Sequence, residues 1–322
     1  MKAAVVSSFG PPENIQIQSN LPVPQVSQSN EVLVQVHSAG VNPVDTYVRS
    51  GLYAALPSLP YTPGRDGSGM VTEVGSSVSH IKSGDRVWFF NSSTGGSAEY
   101  AIGTTVFPLP DDLSYDEGVC LGVPYLTAYR ALFTKGHAKS GERVLIHGAS
   151  GGVGLACCQL AEKAGLSVVG TAGTEKGMDI VRKNGAHHVV NHTSKDYVDE
   201  LKKIAPQGFN LVIEMLANVN LPVDLTLLAT GGRVGVVGNR GECTINARLL
   251  MMKESSVYGV MLGGISESEL IESTSAIYTH FVSSSYRPII NRTYTLEQIP
   301  QAHRDVISPP GGSAGNLVVK IR

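Results

Sequence analysis

Arg143-Val144-Leu145-Ile146-His147, followed by Gly148-Ala149-Ser150-Gly151-Gly152-Val153-Gly154, is the stretch on which the reading of this 322-residue chain turns. The first five residues read as a buried strand. The small residues after them read as a tight turn, and Val153 to Ala164, rich in Ala and Leu, reads as a helix. Gly151 and Gly154 take the second and third places of the pattern G-x-G-x-x-G, with Ala149 in the first. Small residues there let the backbone approach a pyrophosphate, and the free N–H groups of a helix N-terminus meet its charge. Glycines also mark ordinary turns, so the weight rests on the order strand, glycines, helix and on the β-α-β units downstream of it.

Beyond Ala164 the same order repeats. Strands are expected at Ser167 to Thr171, His188 to Asn191, Leu211 to Met215, Arg233 to Val237 and Ser256 to Val260, with helices at Glu175 to Asn184, Tyr197 to Ile204 and Pro222 to Leu228. Successive right-handed β-α-β units of this kind make a doubly wound parallel Rossmann sheet. Before about residue 110 the texture differs: Lys2 to Val6, Ile15 to Gln18, Val32 to His37, Met70 to Val74 and Arg86 to Phe90 are short β-rich runs cut by proline and glycine. After Gly264 a helix is expected at Glu267 to Val282, then short strands at Ile289-Ile290 and Leu317 to Ile321 that return to the first domain. The expected division is 1–124 with 265–322 as a β-rich catalytic domain, 125–264 as an inserted dinucleotide-binding domain, and a cleft between them.

Composition narrows the classes. Lys plus Arg number 25 against 27 Asp plus Glu, with no long run of one sign, so no polyanion-binding arm is present. No apolar run is long enough for a membrane span or a signal segment, and a cytoplasmic enzyme is expected. The four cysteines, Cys120, Cys157, Cys158 and Cys243, lack C-x-x-C spacing and read as reduced, small core residues.

An NAD site carries an acidic residue at the end of its second strand, where it accepts hydrogen bonds from the adenosine ribose. Here that strand ends Val169-Gly170-Thr171-Ala172-Gly173-Thr174. Small and hydroxyl side chains leave room for a 2′-phosphate, and Lys176 either neutralises its charge or is a solvated residue at a helix start. The expected cofactor is NADP(H).

Further segments carry a resemblance: Ala39 to Tyr47, Pro60-Tyr61-Thr62-Pro63-Gly64, Gly84-Asp85-Arg86-Val87, His147 to Gly154, Gly170 to Glu175, and Glu214 to Asn220. Over nearly the whole length the chain resembles the medium-chain dehydrogenase/reductases, and within them the zeta-crystallin type of NADPH:quinone oxidoreductase. The resemblance implies a GroES-like catalytic domain around the Rossmann insertion and a dimer or tetramer. It implies cofactor contacts from Tyr47, Ser150, Gly151, Gly152, Val153, Gly173, His192, Asn220, Val237, Gly238, Asn239, Arg240, Val260, Met261 and Leu262. His192 either faces the adenine or caps the next helix. Zinc-dependent relatives carry a metal-binding Cys where this chain has Asn42, and Gly-His-Glu where it has Gly64-Arg65-Asp66. Two ligands are therefore missing, and no metal is expected. The segment Ala314-Gly315-Asn316 departs from a family pattern that often has Lys in place of Asn316.

Without a metal no Lewis acid holds an alkoxide, which points to reduction of an electron-poor acceptor such as a quinone. Negative charge growing on the acceptor oxygen calls for hydrogen-bond donors, and Asn42 and Tyr47 are the candidates. Tyr47 either donates through its hydroxyl or only packs on the cofactor ring. Tyr53, Tyr61 and Met261 are candidate walls of an apolar acceptor pocket. The rival expectations are an enone or enoyl-thioester reductase on the same fold, and an RNA-binding or structural crystallin-like role taken from the resemblance alone.

Overall fold

The computed structural model describes all residues, 1–322. They form two compact units: Met1–Val123 with Arg287–Pro310 and Gly315–Arg322, and Pro124–Tyr286 with Gly311–Ala314. No helix is long and apolar enough to cross a membrane.

The first unit opens with β1 (Ala3–Val6) and β2 (Ile15–Gln18), an antiparallel pair. Then come β3 (Val32–Val41), α1 (Pro43–Ser50), β4 (Asp66–Val74), β5 (Arg86–Phe90), β6 (Tyr100–Gly103), β7 (Val106–Pro108) and α2 (Tyr115–Gly118). In β3 Val32, Val34 and Val36 are almost wholly buried, while on the alternate face Leu33 keeps slight exposure and Gln35 and His37 are half-buried. That period of two puts one face on the core. Those valines pack with Val71, Val87, Phe89 and Val106.

The second unit contains α3 (Val123–Tyr129, beginning at the boundary), β8 (Arg143–Ile146), α4 (Gly152–Lys163), β9 (Ser167–Ala172), α5 (Glu175–Lys183), β10 (His188–Asn191), α6 (Tyr197–Ile204) and β11 (Phe209–Glu214). It continues through α7 (Ala217–Leu227), β12 (Leu228–Val236), α8 (Ala247–Lys253), β13 (Ser256–Gly259) and α9 (Glu267–Val282). The six strands lie in the order β10-β9-β8-β11-β12-β13, and every pairing is parallel. Val144, Leu145 and Ile146 of β8 are all fully buried, because helices cover both faces of such a sheet. The doubly wound α/β fold expected from the sequence is borne out.

The chain then returns to the first unit with β14 (Ile290–Thr295), α10 (Ile299–Asp305) and β15 (Asn316–Lys320). Its main sheet runs β14-β15-β3-β4-β5-β7, with β6 also paired to β3. β14 and β15 are parallel and the other pairings are antiparallel.

Four local readings need correction. Helix α9 groups with the second unit, not the first: Phe281 packs edge-on against Tyr125, and Arg130 forms an ion pair with Glu269. Helix α7 begins at Ala217 and carries Pro222 inside it, because Val219 and Asn220 already donate to the Leu216 carbonyl and close a turn before the proline. Helix α8, capped by Asn246, and strands β6 and β7 have no counterpart in the sequence reading. Cys120, Cys157 and Cys158 are buried, but Cys243 is exposed, since it lies in the polar stretch Gly241 to Thr244 between β12 and α8.

Candidate functional site

The glycine turn joins β8 to α4. Gly148 has φ +56°, a left-handed conformation that favours glycine. Ala149 N–H donates to the Thr171 carbonyl at 2.8 Å, and Gly151 N–H to the Gly148 carbonyl at 3.0 Å, so the turn is fixed by its own backbone. A Cβ on Gly154 would stand 2.5 Å from the Gly148 oxygen and 2.6 Å from Ala149 Cα; helix and turn approach too closely for any side chain. Around Gly151 the only neighbour within 4 Å of such a carbon is the Gly148 oxygen at 3.4 Å. Gly151 caps α4 without a side-chain hydrogen bond, which leaves the first-turn N–H groups of the helix to an outside acceptor. These features fit a pyrophosphate.

At the end of β9, Ala172, Gly173 and Thr174 offer no carboxylate, and Thr174 Oγ1 accepts from Gly177 N–H at 3.1 Å to cap α5. Glu175 and Lys176 are exposed, and neither forms an ion pair. His192 lies against Gly173: a Cβ there would be 2.8 Å from His192 Nε2. Of the remaining cofactor candidates, Asn220 Nδ2 donates to Glu214 Oε1 at 3.1 Å, Arg240 N–H to Asn218 Oδ1 at 2.9 Å, and Asn239 Nδ2 to the Gly241 carbonyl at 2.7 Å. Val237 N–H donates to the Glu214 carbonyl and Val260 N–H to that of Val236. The loops thus follow the C-terminal ends of β11, β12 and β13, where ligands sit in open α/β sheets. Met261 is 52% exposed.

Beneath them is a buried polar network. His147 Nε2 lies 2.9 Å from Asp224 Oδ1 and 3.8 Å from Glu214 Oε2, and all three residues are buried. His147 Nδ1 lies 3.4 Å from Thr171 Oγ1, which accepts from Gly148 N–H at 3.3 Å. Glu214 Oε1 also accepts from Leu216 N–H. Side chains at the ends of β8, β9 and β11 are thereby tied to the glycine turn and to the loop bearing Asn220. Burial pushes Glu214 up to about 7, against the attraction of His147 and with the repulsion of Asp224. For His147 burial works the other way, but the hydrogen bond and charge of Asp224, with Glu214, raise it above an ordinary histidine. Ligand atoms of these three residues lie within 4.8 Å of one another.

In the first unit the candidates gather at the start of α1. Asn42 is buried at its N-terminus; its N–H donates to Asp45 Oδ2 and its Nδ2 to Asp66 Oδ2, each at 2.8 Å. Asp66 accepts also from Val123 N–H at 3.0 Å. Burial raises Asp45 to about 6, and burial with repulsion from Asp45 raises Asp66 to about 8. Tyr47 is half-buried on α1. Tyr61, Asp45 and Arg65 line a cavity of about 720 Å3, whose walls include Leu56, Thr62 and Ser93. The Tyr61 hydroxyl is buried without a partner, and burial pushes it up to about 12. Tyr53 is not on the cavity wall, but Arg65 Cζ lies 5.5 Å from its ring centroid.

The sequence alone does not single out six of these residues for the roles they take. His147 and Asp224 lie 77 positions apart, and nothing in one dimension couples them to Glu214. Asp45 is one residue of the Ala39 to Tyr47 segment, and Arg65 and Asp66 stand out only as substitutes for metal ligands. A carboxylate inside an apolar stretch, as in Val212-Ile213-Glu214-Met215, is the available signal.

Residues 28–111 match the model of the alcohol dehydrogenase GroES-like domain, and residues 152–276 that of a zinc-binding dehydrogenase. The quinone oxidoreductase of Homo sapiens is 46% identical over 322 residues, 99% of this chain and 97% of the human protein. That of Rattus norvegicus is 48% identical over the same shares. Among solved structures, the Escherichia coli quinone oxidoreductase complexed with NADPH superposes with a TM-score of 0.89 at 29% identity, covering 100% of both chains. The chain therefore belongs to the quinone oxidoreductase family of the medium-chain dehydrogenase/reductases.

Proposed function

We propose that this chain reduces quinones with NADPH. The observation that carries the reading is the glycine turn, open at an uncapped helix N-terminus and followed by a second strand that ends without a carboxylate. In this reading that turn takes the pyrophosphate, and Gly173 with Thr174 and Lys176 takes the 2′-phosphate. Ser150 to Val153, His192, Asn220, Val237 to Arg240 and Val260 to Leu262 complete the cofactor site. The first unit serves as the catalytic domain and the second as the NADP-binding domain.

Bound NADPH supplies two electrons and one proton, and one further proton from solvent completes the hydroquinone. The residues in the positions of zinc ligands do not fit the metal. Asn42 directs an amide N–H at Asp66 Oδ2, so the nitrogen is a donor there and the carboxyl oxygen is already engaged. An acceptor that is already electron-poor suits a site of this kind. Tyr47 supplies the hydrogen bond to the acceptor oxygen; Asn42 holds the start of α1 in place through Asp45 and Asp66. Tyr61 lines the acceptor cavity, and Tyr53 supports it from behind Arg65.

A second copy of the chain is the proposed partner. β13 is an edge strand with Val257 37% exposed, and Met251 and Met252 on the neighbouring α8 are 77% and 70% exposed. A monomer mass by light scattering would remove that part of the proposal.

The activity is tested by NADPH oxidation with 9,10-phenanthrenequinone, a 2-alkenal and an enoyl-CoA in parallel, after titration with NADPH and NADH. The quinone is expected to react fastest, and NADPH to bind at least about tenfold more tightly than NADH. A preference of more than about tenfold for the alkenal would replace quinone reduction with enone reduction.

A further inference from the structure

Resting on that reading of the activity, we propose that Arg65 makes the cavity of the first unit selective for acceptors that carry a negative charge beside the quinone ring. The cavity, about 720 Å3, is of the size that holds a two- or three-ring aromatic compound. One side is apolar: Leu56 lies on its wall, and Leu52, Leu56 and Leu59 of the same loop are 82%, 42% and 40% exposed. A loop that leaves three leucines in water has a flat apolar partner to gain. The Tyr61 hydroxyl, buried and unpartnered, remains a proton donor at neutral pH and is available to an acceptor oxygen.

Arg65 supplies the charge. Of the arginines in this unit, Arg287, Arg292 and Arg304 form ion pairs, and Arg49 and Arg86 donate to backbone carbonyls. The Arg65 guanidinium does neither; it stands over the face of Tyr53 at 5.5 Å, as that of Arg322 stands over Tyr100. The acidic groups facing it, Asp45 from α1 and Asp66 from β4, are both buried. Desolvation raises both, which weakens the countercharge they offer; neither pairs with Arg65, and Asp45 and Asp66 accept instead from Asn42. A planar guanidinium over an aromatic face and outside any ion pair is suited to a sulfonate, carboxylate or phenolate on the ligand.

The matched pair 1,2-naphthoquinone and 1,2-naphthoquinone-4-sulfonate tests this in thiol-free buffer. In Arg65→Gln the ratio of kcat/KM for the sulfonate to that for the neutral quinone is expected to fall about tenfold, while Arg65→Lys keeps most of it. An unchanged ratio in Arg65→Gln, with the fold verified by circular dichroism, overturns the proposal. A second arm uses redox-inert naphthalene-1-sulfonate and protein loaded with NADP+. Arg65→Gln should weaken its binding about tenfold by calorimetry, and equal affinity in both proteins again overturns it. If no quinone is reduced by the unmodified protein, the activity reading fails, and the binding arm still decides the role of Arg65.

Discussion

At the glycine turn of the second unit the proposed recognition is by backbone: Gly148, Gly151 and Gly154 leave room because they lack side chains, and His147, Glu214 and Asp224 are buried nearby. In the cavity of the first unit the proposed recognition is by side chains, Asp45, Tyr61 and Arg65, brought together from α1, a loop and the approach to β4. A backbone site is specified locally and tolerates almost no change of shape. A side-chain site is assembled over distance and can be retuned one residue at a time. The difference separates a site that a single added carbon can break from one whose preference a single side chain can shift.

The strongest way to break the comparison is at Gly154. A β-branched side chain there would have to displace the Gly148 carbonyl, 2.5 Å from the first added carbon. Gly154→Val is expected to weaken NADPH binding by about 100-fold, the effect of a few kcal/mol of overpacking directly beneath the pyrophosphate. Fluorescence titration with NADPH measures it. Binding at the affinity of the unmodified protein would show that the turn yields, and that its glycines are not what makes it a site.

The network under the turn gives the next effect, in stability. Glu214 is raised from 4.5 to about 7 in the folded chain, so the folded state holds the proton more firmly than the unfolded one. Stability therefore falls as pH rises from about 4.5 to about 7. His147, raised above 6.5, has the same sign: its contribution is complete below the unfolded value and is lost as pH climbs through the folded one. The melting temperature of the second unit should drop by several degrees between about pH 5 and about pH 8. Glu214→Gln imitates the protonated acid, keeping an oxygen for Leu216 and Asn220 and giving an N–H towards Asp224. Its melting temperature should depend less on pH and should exceed that of the unmodified protein at pH 8. Scanning calorimetry across that range checks both; parallel curves would mean that Glu214 does not titrate there.

The same contrast explains which features are legible in the sequence. Strands β8 to β13 and helices α4 to α6 are regular runs with the correct period, and the turn between β8 and α4 is announced by its own residues. The sheet and the glycine cradle are therefore visible in one dimension. Where tertiary contacts override local pattern, the sequence misleads. Pro222 looks like a helix start, yet the bonds to Leu216 begin α7 earlier. Helix α9 looks like the way back to the first domain, yet Tyr125 and Arg130 hold it in the second. His147, Glu214 and Asp224 meet only after three segments fold together, and only the folded chain shows that Arg65 lies outside any ion pair while Asp45 and Asp66 are engaged by Asn42.

The smallest expected effect is at Tyr47, and it decides how far the side-chain half reaches into the chemistry. Tyr47 sits half-buried on α1, whose start is pinned by the bonds from Asn42 to Asp45 and Asp66, so its ring direction survives loss of the hydroxyl. If the hydroxyl donates to the acceptor oxygen as charge develops, Tyr47→Phe should lower kcat by about tenfold and leave the affinity for NADPH unchanged. A ring that only packs on the cofactor would instead keep kcat, with NADPH bound as before through the same aromatic face. Steady-state kinetics with 9,10-phenanthrenequinone separates the two, because phenylalanine keeps the packing and removes only the donor. Unchanged kcat would leave acceptor activation to orientation and to the reactivity of the quinone itself.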